Sequence, residues 1–375
     1  QNFYINAKNV ELIAITGTNG KTSVSHYISQ LLDFLEIDNG VIGTLGMSKT
    51  ENKSINTTPD IFSIYNTLEE YSSNGINLAV IEASSHALMQ GRLEGLSFIQ
   101  GIFTNLTQDH LDYHETMDNY REAKGKLFKN NFSKRAIINR DDENYQYFLD
   151  TASDKEPITF GIDDLEFYKN SENGFICQLN DYVFELPLVG EFNLSNAIAA
   201  YNSVKCLGFN DDQIIPCLAK LSPPPGRMQQ LANSNIWIDY AHTPDALDNA
   251  LSTLKKHYPE FNIRVIFGCG GDRDQGKRQM MGKIASERAD SIILTNDNPR
   301  SEDPQAIIDD ILAGTKVEND VQIILDRGDA IRSAIQSLGE EEALLIAGKG
   351  HETTQVISSK TLPFSDIEVA LNALN

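Results

Sequence analysis

Residues 12–36 constrain the fold more tightly than any other part of the chain. Leu12 to Ile15 is a short apolar run rich in branched residues and reads as a buried strand. A glycine turn follows, Gly17-Thr18-Asn19-Gly20, then Lys21, Thr22 and Ser23, and an amphipathic helix is expected from about Ser23 to Glu36. Strand, glycine turn, Lys-Thr and helix is the layout of a phosphate cradle. Backbone N–H groups and the helix N-terminus face the anion, Lys21 reaches the outer phosphates, and the Thr22 hydroxyl can hold Mg²⁺. The usual P-loop pattern has a glycine where Ile15 stands here. An ordinary strand-to-helix turn that contains Lys-Thr is the plainer alternative, and the flanking strand and helix weigh against it.

Bulk properties narrow the class. A length of 375 residues suggests two or three domains, and 41% hydrophobic residues supply a globular core. The net charge of −22 argues against sequence-independent nucleic-acid binding, which needs a basic surface. It suits a cytoplasmic enzyme whose anionic substrates meet local positive charge. Cys177, Cys206, Cys217 and Cys269 are spread without zinc or redox spacing and read as free thiols in a reducing compartment. No apolar run approaches membrane-spanning length.

Polar residues recur where apolar strands end. Thr57 and Thr58 precede Pro59 and a helix, where hydroxyls are ordinarily N-caps. A second buried strand, residues 77–83, ends near Glu82 and is followed by Ser84, Ser85, His86 and Arg92. An acid at that end of a parallel strand beside a phosphate loop is placed to hold Mg²⁺. The strand Phe98 to Phe103 leads into a dense polar segment ending Asp109-His110-Leu111-Asp112-Tyr113-His114. His110 and His114 have helical i,i+4 spacing but no further zinc ligands nearby, so His110 is read as serving a hard metal held with Glu82. Lys124 lies on a helix over about 117–130 and, by composition, is a solvated lysine. Asn193 and Asn196 sit at a helix start and could be mere caps.

Ser222-Pro223-Pro224-Pro225-Gly226 is a stiff connector and places a domain break, with Arg227 just beyond it. Residues 1–222 are expected to form an ATP-binding domain on a mostly parallel sheet. Residues 223–375 alternate strands (235–239, 262–268, 291–295, 321–325, 343–347) with helices, which implies a Rossmann-like α/β domain. Its strand exits carry Asp239-Tyr240-Ala241-His242, Gly270-Gly271-Asp272-Arg273, Asp297-Asn298-Pro299-Arg300 and Gly348-Lys349-Gly350-His351-Glu352. Two arginines and one acid at one sheet edge suit a zwitterionic amino acid: Arg273 and Arg300 grip a carboxylate, and Glu352 accepts from an ammonium. Surface salt bridges near a glycine turn are the alternative.

Taken in order, these motifs resemble those of the Mur ligases, ATP-dependent amide-forming enzymes of peptidoglycan synthesis, over nearly the whole chain. The resemblance implies that Gly17, Thr18, Asn19, Gly20, Lys21, Thr22 and Ser23 bind ATP, with Asn193, Asn196, Arg227 and Asp239 around the nucleotide. It implies that Thr57, Thr58, Ser84 and Arg92 contact a phosphorylated muramoyl-peptide. It implies that Lys124, in Tyr120-Arg-Glu-Ala-Lys124-Gly-Lys-Leu-Phe128, is carbamylated by CO₂ and, with Thr22, Glu82 and His110, ligates Mg²⁺. Lys21, Glu82, His110 and Lys124 would then be the catalytic set. Arg273, Asn298, Arg300, Gly348 and Glu352 match the amino-acid-binding positions of the diaminopimelate-adding members. Lysine lacks the second carboxylate and would leave an arginine unpaired, so meso-diaminopimelate is the expected amine substrate.

The expected activity is ATP-dependent, acyl-phosphate-mediated joining of meso-diaminopimelate to the D-glutamate carboxylate of a muramoyl dipeptide, by a monomer binding small molecules, with no nucleic acid and no membrane. Family members carry a uridine-binding domain ahead of the phosphate loop, and this chain is expected to lack it. Either the sequence is a trimmed part of a longer protein or it is a natural short form, and in a natural short form uridine-linked substrate would bind weakly or the acceptor would carry no uridine. A related ligase with another acceptor, and a non-catalytic ATP-binding module, are the two competing readings.

Overall fold

The computed structural model describes residues 6–51, 56–129, 132–171, 173–231, 234–316 and 320–374. The chain forms two compact units: Gln1–Thr107 with His114–Ser222, and Gln108–Tyr113 with Pro223–Asn375. The six residues Gln108–Tyr113 therefore belong with the second unit, although both flanks belong to the first. Proline stiffness marks where the chain leaves one unit, but no composition signal marks this short excursion.

In the first unit, β1 (Glu11–Thr16), β2 (Gly40–Gly43), β3 (Gly46–Met47), β4 (Leu78–Glu82), β5 (Phe98–Phe103), β6 (Ser133–Asn139) and β7 (Ile158–Phe160) form one sheet in the order β3-β2-β4-β1-β5-β6-β7. All neighbours are parallel except β2 and β3. Strand alternation divides the core. Ile13 and Ile15 face the helices Lys21–Phe34 and Glu191–Lys205, whereas Leu12 and Ala14 join a cluster with Ile64, Leu68 and Tyr71 of the helix Ile61–Ser73. That last helix is capped by Asp60, which accepts from the N–H groups of Phe62 and Ser63. A three-stranded antiparallel sheet of β8 (Phe167–Asn170), β9 (Phe175–Leu179) and β10 (Tyr182–Leu186) completes the unit.

In the second unit, β11 (Gln229–Gln230), β12 (Ile236–Asp239), β13 (Asn262–Phe267), β14 (Ser291–Leu294), β15 (Asp320–Ile323) and β16 (Glu342–Ala347) run in the order β11-β12-β16-β13-β14-β15. Only β11 is antiparallel. The register aligns Asp239 with Ala347 and Phe267 with Leu294, so the exits after β12, β13, β14 and β16 open on one edge. Helices begin where Thr243-Pro244 and Asp303-Pro304 supply a cap and an N1 proline. A hairpin of β17 (Thr354–Ile357) and β18 (Lys360–Pro363) has no counterpart among the strands expected from sequence. No helix among the described residues is long and apolar enough to cross a membrane.

Candidate active site

The first unit presents a preformed anion cradle at the end of β1. Gly20 caps the helix Lys21–Phe34 at φ +85°, and a Cβ there would stand 2.6 Å from Asn196 Oδ1. At Gly17 a Cβ would meet Thr104 Oγ1 at 1.8 Å, so the loop can lie this close to the segment leaving β5 only as glycine. Thr104 Oγ1 donates to Asn19 O at 2.6 Å, and Asn19 N donates to Asn105 Oδ1 at 2.8 Å. Lys21 Nζ folds back to Gly17 O and Thr18 O, both at 2.8 Å. Lys124 Nζ donates to the same Gly17 O at 2.8 Å and lies 4.2 Å above the Tyr120 ring. Two ammonium groups thus converge on one loop carbonyl. Lys124 is only 1% exposed, which corrects its reading from composition as a solvated helix lysine.

Beside this loop, Glu82 is fully buried. Its Oε2 accepts from Thr22 Oγ1 at 3.1 Å and Thr44 Oγ1 at 2.9 Å, and its Oε1 accepts from Thr44 N at 2.8 Å. Parallel pairing of Ile15 with Glu82 brings this acid to the cradle. An all-oxygen pair of hydroxyl and carboxylate at a phosphate cradle suits a hard cation such as Mg²⁺.

The residues expected to bind the acceptor also assemble. Thr58 Oγ1 donates to Glu82 O at 2.6 Å and accepts from Ser84 N at 3.0 Å. Arg92 Nη1 donates to Thr58 O at 2.8 Å, and Thr44 Oγ1 bonds Thr57 Oγ1 at 3.1 Å. The Asn193 amide is spent internally on Tyr27, Val189 and Asn196, so the Asn196 side chain, set against Gly20, is the one at the loop.

In the second unit, His110 adopts φ +54° and pairs with Asp109 at 3.4 Å. Burial alone would raise the Asp109 carboxyl, but the charges of His110 and Lys277 hold it below its ordinary value. Burial, reinforced by Lys277, lowers His242 to about 4, so its ring is neutral. Asp239 accepts from Met228 N at 2.6 Å and Ala241 N at 2.7 Å, and burial raises its carboxyl against the pull of Arg227. Its oxygens thus pin the segment that presents Arg227, whose guanidinium lies 4.3 Å over the Tyr240 ring.

The residues expected to bind the amino acid sit on loops knit to one another. Asn298 Nδ2 donates to Glu352 Oε2 at 3.0 Å, and Arg300 Nη1 donates to Gly271 O at 2.7 Å. Gly270 leaves room for that guanidinium, since a Cβ there would stand 2.8 Å from it. Arg273 is exposed beside Gly270, and Gly348 holds φ +115°. The β17 strand braces the motif: Gln355 donates to Asp297 O, Val356 N to Asn298 Oδ1, and Arg300 N to Val356 O.

The profile of the Mur ligase middle domain matches residues 15–204, and that of the Mur ligase glutamate ligase domain matches residues 226–350. The chain belongs to the Mur ligase family. Two relatives share the name UDP-N-acetylmuramoyl-L-alanyl-D-glutamate–2,6-diaminopimelate ligase. The Synechocystis sp. protein is 39% identical over 98% of this chain and 76% of its own length, and the Coxiella burnetii protein is 42% identical over 97% and 78%. A solved structure of a ligase of that name aligns at TM-score 0.67 and 37% identity, covering 97% of this chain and 78% of the other. Mycobacterium tuberculosis folylpolyglutamate synthase complexed with ADP aligns at TM-score 0.72 with 18% identity over 92% and 90%, a likeness of fold alone.

Three residues that sequence reasoning did not single out stand against the expected site residues. Thr44 holds Glu82 from both oxygens, and Lys349 and Arg327 are buried charges beneath the amino-acid loops. Arg327 pairs with Asp366 at 2.7 Å, both side chains fully buried, and donates to Ala347 O at 2.8 Å. Lys349 stands inside the Gly-Lys-Gly-His-Glu motif and could have been found there.

Proposed function

We propose that the chain is an ATP-dependent, ADP-forming ligase that adds meso-diaminopimelate to the D-glutamate carboxylate of a muramoyl dipeptide. The carrying observation is the Asn298–Glu352 pair at 3.0 Å on loops that also carry Arg273 and Arg300. It offers one acid for an ammonium and guanidinium groups for a carboxylate, as the far end of diaminopimelate requires. The names of relatives near 40% identity support the same reaction.

The cradle Gly17–Ser23 binds the ATP phosphates, and Lys21 leaves the loop carbonyls to contact the outer phosphates. The D-glutamate carboxylate, oriented by Thr57, Thr58, Ser84 and Arg92, attacks the γ-phosphorus and displaces ADP, giving an acyl phosphate. The amine of diaminopimelate then attacks the acyl carbon, loses a proton and expels phosphate from the tetrahedral intermediate. Positioning and charge neutralisation carry these steps, so no protein nucleophile is needed. Thr22, Glu82 and carbamylated Lys124 would hold Mg²⁺, which would supply neutralisation of phosphate charge. A carbamate keeps one N–H on Nζ, so the bond to Gly17 O survives carbamylation while the attraction to the Tyr120 ring is lost. Asn196, Arg227 and the segment pinned by Asp239 serve the nucleotide. The reading includes a cytoplasmic monomer with an ATP-binding domain to residue 222 and an amino-acid-binding domain from 223.

The test is ADP release with ATP, Mg²⁺ and uridine-linked muramoyl-L-alanyl-D-glutamate, comparing meso-diaminopimelate with L-lysine. Release with diaminopimelate alone is expected, and equal release with lysine would sink the substrate assignment. Loss of activity in Lys124→Ala with recovery in short-chain carboxylic acids is expected for the carbamate, and unchanged activity in that variant removes it.

A further inference from the structure

We infer that Lys349 is a positioning residue that sets the choice between amino acids with and without a second carboxylate. The inference rests on the diaminopimelate reading above. Lys349 is fully buried, and its Nζ donates to Glu352 Oε2 at 2.6 Å and to Asn298 Oδ1 at 3.1 Å. Asn298 Nδ2 donates to the same Glu352 Oε2 at 3.0 Å, and Val356 N donates to Asn298 Oδ1 at 2.8 Å. Both lone-pair directions of Oε2 are therefore taken, while Oε1 accepts no hydrogen bond from the described residues. Glu352 is held rigidly with one oxygen left for a ligand, and its side chain is 29% exposed, so a ligand can reach it.

The charge balance follows. Paired with Lys349, Glu352 offers a hydrogen-bond acceptor without offering a full net negative charge. Arg273 and Arg300 then dominate the local field and demand a carboxylate. Remove the Lys349 ammonium, and Glu352 becomes an uncompensated carboxylate that attracts any amine. An amino acid such as L-lysine, whose far end is a bare ammonium, then loses its disadvantage. Lys349 acts on the substrate through Glu352 and Asn298.

The experiment uses the full chain with Lys349→Met and Lys349→Arg, reading kcat and KM for meso-diaminopimelate, L-lysine and ATP. In Lys349→Met the diaminopimelate KM is expected to rise about tenfold and the preference over lysine to fall about tenfold, the scale of one charge-assisted bond. The ATP KM is expected to stay unchanged, and Lys349→Arg to recover most of the preference. Adding Glu352→Gln to Lys349→Met is expected to restore part of the preference over lysine, because it removes the uncompensated carboxylate, and the two substitutions are therefore expected not to add. If Lys349→Met fails to melt cooperatively, Lys349→Gln replaces it with the same expected shift. An active wild type with unshifted preference in these variants overturns the inference alone. A wild type without diaminopimelate-dependent ADP release overturns the substrate reading and this inference together.

Discussion

The phosphate cradle and the loops proposed to bind the amino acid hold their charged groups still in opposite ways. The cradle is one contiguous stretch whose shape comes from backbone: glycine at 17 and 20, a helix N-terminus, and close packing on Thr104 and Asn196. The amino-acid loops come from separate strand exits tied by side chains: Asn298 to Glu352, Arg300 to Gly271, Ser301 to Asp272, and Arg278 to both Glu302 and Asp310. A backbone site tolerates little change in its own residues but needs few partners. A side-chain site depends on residues far away in sequence, several of them buried charges.

That contrast can be broken from either side. Lys21→Ala should lower ADP release about 10²–10³-fold, the scale of losing one preorganised donor to developing charge. Its melting temperature should hold, because the Lys21 Nζ bonds to Gly17 O and Thr18 O are made to carbonyls of its own loop. Arg327→Met should do the reverse in the second unit. Stranding Asp366 fully buried should cost ~3–5 kcal/mol of stability by denaturant unfolding, while the cradle keeps its nucleotide affinity. Arg300→Lys should raise the diaminopimelate KM about tenfold with the ATP KM unchanged, because a lysine cannot reproduce the guanidinium fork.

The smallest effect is a pH slope in the second unit. Burial holds His242 at about 4 in the folded chain, below its ordinary 6.5. As pH falls, the unfolded chain takes up that proton first. The stability associated with neutral His242 is therefore full above about 6.5 and is lost as pH drops toward 4. Melting temperature against pH should fall over that window, and His242→Asn should flatten the fall.

Much of the fold is legible in sequence because alternating apolar runs and capped helices are local signals. Thr243-Pro244 opens a helix wherever it stands, and Leu12–Ile15 could hardly lie elsewhere than inside a sheet. The cradle is legible for the same reason. The amino-acid loops are legible only as a list of polar residues at strand exits. Arg278 and Arg327 look like solvated charges until the fold buries them against acids 24 and 39 positions away. The excursion of Gln108–Tyr113 and the bracing hairpin were invisible because both are defined by what they touch.

Arg300 holds φ +51°, a conformation that suits glycine or asparagine and costs an arginine about 1 kcal/mol. The chain keeps a side chain there that its own backbone resists. Stability and recognition therefore pull position 300 in opposite directions, and Arg300→Asn should melt no lower than the parent while losing the amino acid. Anyone improving this molecule by heat selection alone would be led, at this position, toward a sturdier protein that no longer chooses its substrate.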